Sequence, residues 1–129
     1  MATDAVIQFK YSDDVHITAI YKRYDSFPEE VIQKLKNYLS ETKNKQWDFL
    51  VAEIISRFVF DSLGNKGVKI LYRMPLEGDS SFIFLWEIYP KEELYSNETI
   101  PFEKSIYVKI WQGNKEKLIY SGSISDFEL

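Results

Sequence analysis

Residues 26–63, SFPEEVIQKLKNYLSETKNKQWDFLVAEIISRFVFDSL, decide the fold, because they spell two amphipathic helices in succession. Ser26-Phe27-Pro28-Glu29 matches a capping box, with Ser26 expected at the N-cap and Glu29 reaching back to it. Pro28 suits a first helical turn, where its missing N–H would lack a partner anyway. Val31, Ile32, Leu35, Tyr38 and Leu39 recur at helical spacing, and this helix is expected to end near Glu41. Thr42 to Lys45 is a polar connector. A second helix is expected from about Gln46 to Leu63, on the stripe Trp47, Leu50, Val51, Ile54, Ile55, Phe58 and Val59. Glu53, Arg57 and Asp61 stand four apart, which predicts two exposed ion pairs along the helix. Gly64 is placed to close it in left-handed geometry. Phe60 falls off the stripe and predicts a contact on a second side.

Strands flank this helical pair. Ile7, Phe9 and Tyr11 alternate with Gln8 and Lys10, so one face is expected to be apolar and the other polar. Ser12-Asp13-Asp14 is turn chemistry. Val15, Ile17, Ala19 and Tyr21 then alternate with His16, Thr18 and Lys22, completing an antiparallel hairpin. After the helices, Val68 to Met74 alternates and Pro75 stops it. Pro75 to Ser81 is turn-rich. Phe82 to Tyr89 is apolar on both faces and reads as a central strand. Pro90 to Lys104 is a long acidic connection. Ile106 to Trp111 and Leu118 to Ser121 form a last hairpin around Gly113-Asn114, with Gly122 breaking it. Ile124 and Phe127 are expected to tuck onto the core. The order ββααββββ, with helices and strands segregated, predicts one α+β domain over residues 1–129. It would hold a largely antiparallel sheet of five to six strands, with both helices packed on one face.

Composition limits the chemistry. The 129 residues are 45% hydrophobic, and 16% are aromatic, enough apolar mass for one well-packed core. There are no cysteines, so disulfides, thiolate catalysis and cysteine-based metal centres are excluded. The start Met1-Ala2-Thr3-Asp4 has neither a basic nor an apolar leader, which predicts a cytoplasmic protein. The longest apolar run, Phe82 to Trp86, is far too short to cross a membrane as a helix. The net charge of −4 disfavours nucleic acid as a partner.

Candidate sites are few. The single histidine, His16, lacks the nucleophile elbow of a serine hydrolase; with Asp14, two apart in an extended chain, it could share a metal ion with another strand's carboxylate, though a solvated strand histidine is the commoner reading. Neither a metal nor a cofactor is expected. No phosphate-cradling glycine loop is present, since Gly64-Asn65-Lys66-Gly67 departs from the Walker pattern. Glu87 on the apolar strand invites a raised pKa, and a solvent-facing strand end is its plainer reading. Glu92, Glu93, Glu98 and Glu103 read as a solvated loop. The best basic–aromatic cluster is Tyr21, Lys22, Arg23, Tyr24 and Asp25, a strand-to-helix corner suited to stacking and neutralising a nucleotide. No catalytic constellation is recognisable, so an enzyme is not expected.

The same corner carries a resemblance. Tyr21-Lys22-Arg23-Tyr24-Asp25-Ser26-Phe27-Pro28-Glu29-Glu30-Val31 resembles a motif of small uncharacterised proteins of bacterial and archaeal viruses. Their usual form is Tyr, two residues, Trp-Asp-Gly-Tyr-Pro, then Glu and an apolar helix. Here Tyr24 stands for Trp, Ser26 for Gly and Phe27 for Tyr, and Arg23 stands where His is common. The resemblance implies a strand pair, helices and a C-terminal hairpin, and a source in a prokaryotic virus or mobile element. It implies no reaction. The expectation is a non-enzymatic accessory protein that binds another protein, a host defence factor being one such target, and that self-associates as a homodimer through an aromatic sheet face. The alternative is a small-ligand or nucleotide binder using Tyr21, Arg23, Tyr24 and Asp25.

Overall fold

The structure, a computed structural model, describes residues 3–12, 14–42, 46–61, 67–71, 82–90 and 106–127. Their order is β1 (Ala5–Ser12), β2 (Val15–Lys22), α1 (Pro28–Glu41), α2 (Trp47–Asp61), β3 (Val68–Leu71), β4 (Phe84–Pro90), β5 (Ile106–Gln112) and β6 (Lys117–Ser123). The six strands make one sheet in the order β3-β2-β1-β4-β5-β6. Every pairing is antiparallel except β1 with β4. The α+β architecture with a mostly antiparallel sheet therefore stands as expected. The one parallel pair places the first strand at the centre, beside β4, and closes the two halves of the chain onto each other.

Ala5, Ile7 and Phe9 of β1 and Trp86 and Ile88 of β4 form the core with Val31, Ile32, Leu35 and Leu39 of α1 and Leu50, Val51, Ile54 and Phe58 of α2. Val108 and Ile110 extend it across β5, and Ile124 and Phe127 tuck against it from the tail. The indole N–H of Trp86, fully buried there, has no acceptor among the described residues.

Several sequence expectations need correction. Ser26 does not cap α1: the N-cap is Phe27 with no side-chain bond, and Ser26 Oγ donates instead to the carbonyls of Lys22 and Tyr24. The strict alternation on β2 fails because a bulge opposite Phe9 and Lys10 inserts Ile17 as an extra residue. One extra residue exchanges the faces, so Ile17 joins Ile20 at the main core while Ala19 and Tyr21 point to the other side. Gln8 and Lys10, expected on a wet face, are buried at 8% and 6% exposure because their strand is central. Val59 is exposed rather than part of the buried stripe. The Glu53–Arg57–Asp61 ladder is absent, since all three reach α1: Glu53 accepts from Thr42, Arg57 pairs with Glu41, and Asp61 accepts from Tyr38. Gly122 lies inside β6 and does not break it. The expectations for Gly64, Tyr72 to Ser81 and the acidic connection at 91–104 lie outside the described residues.

Candidate functional site

Three places concentrate groups that recognition or catalysis could use. The first is the strand-to-helix corner. Lys22 lies on β2 opposite Val68, on the side of the sheet the helices cover, and only 5% of it is exposed. Its ammonium therefore has to be satisfied locally, and it donates to the carbonyls of Tyr24 and Asp25. Burial lowers the Lys22 pKa, and the charge of Lys34 adds to that, outweighing the pull of Asp25, Glu30 and Asp61. Asp25 adopts φ +53°, a left-handed conformation that Asp tolerates better than most residues, and it reverses the chain into α1. Tyr21 faces the second side, where its hydroxyl donates to Asp4 at 2.7 Å. Asp4 in turn accepts from the amide of Ile83 at 2.9 Å. Burial, then this hydrogen bond, raises the Tyr21 pKa. Of the four candidate residues, Tyr21 is thus committed to an internal bond. Arg23, Tyr24 and Asp25 are exposed, with the Arg23 guanidinium 5.4 Å from the Tyr24 ring centre. Phe27, also exposed, meets Phe84 edge to face.

The second place is the sheet face away from the helices. Gln8, Lys10, Glu87, Lys109 and Trp111 share this face by register, and Val6, Ala19, Leu85 and Phe82 form a small apolar cluster beside them. Lys10 Nζ donates to Glu87 Oε2 at 2.8 Å, and Trp111 Nε1 donates to Glu87 Oε1 at 2.7 Å. Both carboxylate oxygens are therefore engaged, at 3% exposure. Burial pushes the Glu87 carboxyl up, but the bonds from Lys10 and Trp111, with the charge of Lys10, outweigh it and hold the pKa below the usual carboxylate value. That corrects both sequence readings of Glu87: it is neither a raised carboxyl nor a solvated strand end. A charged, buried carboxylate that accepts two hydrogen bonds is a poor proton donor. The cluster locks β1, β4 and β5 together.

His16 stands at the rim of this face. Gln8 Nε2 donates to His16 Nδ1 at 2.8 Å, which leaves the ring proton on Nε2. Burial and then the charge of Lys10 lower its pKa. Among the described residues no group of three carboxylates and histidines is arranged to hold a metal, so Asp14 and His16 gain no third ligand there.

The third place is the outward side of α2. At 100° per residue, Leu50, Val51, Ile54 and Phe58 take one side and are buried, while Phe49, Ala52, Ser56, Val59 and Phe60 take the opposite side and are exposed. Phe60 is 72% exposed and Phe49 59%. Asp48 and Glu53 flank this stripe, one on either side. The sequence had marked only Phe60; the 49–52–56–59 spacing was present to be read, but Ala52 and Ser56 carry too little hydrophobicity to announce it. The Arg57 guanidinium, 5.7 Å from the Tyr38 ring centre, links α2 to α1.

No helix among the described residues is long and apolar enough to cross a membrane. Compared with protein-family models, curated proteins and solved structures, the chain matches none.

Proposed function

We propose that the protein is a non-enzymatic accessory factor that works by binding another protein, and that the outward stripe of α2 takes a basic amphipathic helix of that partner. The observation that carries this reading is the exposure of Phe49, Val59 and Phe60 together on one helix face. At roughly 150–250 Å² for a fully buried ring, these side chains leave a few hundred Å² of apolar surface in water, the scale at which a patch marks a binding site. The 3-4-3 spacing of positions 49, 52, 56 and 59 is that of a helix–helix seam, and small Ala52 and Ser56 at its middle permit close approach. Acids on both flanks, Asp48 and Glu53, favour a partner helix with basic edges. The polar cluster around Glu87 supports a structural role, because its groups are mutually satisfied.

The eleven-residue corner resemblance supports a source in a prokaryotic virus or mobile element, where interference with a host defence factor is the natural role for such a binder. A nucleotide site at the corner would rest on Arg23, Tyr24 and Asp25, which are exposed, because the Tyr21 hydroxyl is bonded to Asp4. A photo-crosslinking residue placed at position 60, and separately at position 24, distinguishes the two. The binding reading expects one discrete protein adduct from position 60 in cells of the source. Adduct formation from position 24 alone, or a nucleotide that raises the Tm and loses this effect in Arg23→Ala, contradicts it.

A further inference from the structure

The sheet ends on β6, and the hydrogen-bond parity of that strand shows which of its groups face outward. Ile124 N–H donates to Ile106 at 2.9 Å, so Ile106 and Ile124 are a bonded pair. Bonded pairs alternate along an antiparallel ladder. Gly122 with Val108 and Tyr120 with Ile110 are therefore bonded, and Tyr107–Ser123 and Lys109–Ser121 are not. The other side of β5 agrees. Gly113 N–H donates to Ile83 at 2.7 Å, which places bonded pairs at Lys109–Glu87 and Tyr107–Tyr89 and leaves Pro90, with no N–H, at an unbonded position. The main-chain N–H and C=O of Ser121 and the N–H of Ser123 consequently point away from the sheet. The C=O of Ser123 accepts the Tyr120 hydroxyl at 2.7 Å. Leu118 and Ile119 on the same strand are 45% and 43% exposed.

We propose that a second copy of this chain pairs with β6, antiparallel about a two-fold axis at Ser121, joining two six-stranded sheets into one. An edge of unpaired main-chain groups calls for an extended strand, and several features favour a copy of β6 itself. With the axis at Ser121, its N–H and C=O exchange two bonds with Ser121 of the second copy, the self-complementary arrangement a two-fold interface requires. Tyr120 then stands in register with Gly122 of the other copy, and each Tyr120 ring lies over Gly122 of its own chain, its hydroxyl on Ser123. Ser121 meets Ser121 without crowding. Lys117, the one charged residue of β6, lies four residues from the axis and beyond the irregularity at Ile119, so no like charges meet at the axis. The opposite sheet edge, β3, carries exposed Lys69, a usual device against pairing. A strand pair of this length, with Leu118 and Ile119 added, buries less than the roughly 1,600 Å² of a standard interface. The dimer is accordingly concentration-dependent. It is independent of whatever α2 binds.

Sedimentation of the full chain from micromolar to millimolar concentration tests the proposal alongside two variants. The expected result is a monomer–dimer equilibrium that persists in the Phe49→Ser/Phe60→Ser double variant. Ser121→Pro should be monomeric with an unchanged circular dichroism spectrum, since its lost N–H served no bond within the chain. Amide exchange of the native protein provides a readout that needs no variant. The Ser121 amide should exchange freely when dilute and slow as concentration rises, while the Gly122 amide stays protected throughout. A chain monomeric at every concentration, a dimer that folded Ser121→Pro leaves intact, or a Ser121 amide indifferent to concentration overturns the proposal.

Discussion

Glu87 shows how one residue's meaning changes with its neighbours. Burial alone would have kept its carboxyl neutral, yet Lys10 and Trp111 hold it charged. Removing one member of such a buried pair strands the other charge, and Lys10→Met or Glu87→Leu should each cost about 3–5 kcal/mol of stability. Replacing both together should come near neutrality, because the desolvation of two charges is removed with their attraction. Urea denaturation of the two single variants and the double variant measures this. The pH dependence has a definite sign. A depressed Glu87 pKa gives stability that is present above the usual carboxylate value of about 4.3 and lost as pH falls through the folded value. His16, also lowered, acts in the same direction, its unfolded form taking a proton first below about pH 6.5. The denaturation midpoint should therefore fall steadily on acidification, and the acid limb should flatten in the double variant. Sequence could rank Glu87 as unusual but could not find Lys10, 77 positions away, or Trp111, because parallel pairing of β1 with β4 is a long-range event that leaves no local signature.

Among the elements, the helices were the most legible and the first hairpin the least. The stripes of α1 and α2 follow local periodicity, and both ends of α1 and the start of α2 fall close to where spacing places them. Phe58→Ala, deleting a ring 1% exposed and edge-on to Tyr38, should cost about 3–5 kcal/mol by thermal or chemical denaturation. Phe60→Ser on the opposite side should stay within about 0.5 kcal/mol. That contrast separates the packed face of α2 from the presented one. The misreadings share a cause: a side chain expected to serve its own element served another. Ser26 secures the corner rather than capping α1, and Arg57 bridges to Glu41 rather than pairing along α2. On β2 a single inserted residue, Ile17, reversed the faces beyond it, and nothing in the local alternation marks the insertion. The β5–β6 turn was legible, since Gly113 adopts φ +64° as its glycine suggests. Gly113→Ala should cost about 1 kcal/mol, with the Glu116 side chain already only 2.8 Å from where the new methyl would lie.

Across the whole molecule, the buried polar side chains among the described residues are hydrogen-bonded except for the Trp86 indole, and the α2 stripe, the corner residues Arg23, Tyr24 and Asp25, and the β6 edge are exposed. The second sheet face is buried at its centre, through Val6, Gln8, Lys10, Leu85, Glu87 and Tyr89. The measurement that tests this division most directly is affinity capture from cells of the source with three proteins in parallel. They are the native chain, Phe49→Ser/Phe60→Ser, and Lys10→Met/Glu87→Leu, each first shown to be folded. The account predicts that one partner is retained by the native chain and the interior variant and lost by the surface variant. Retention by the surface variant with loss by the folded interior variant would contradict it and return the Lys10–Glu87–Trp111 cluster to the centre of function.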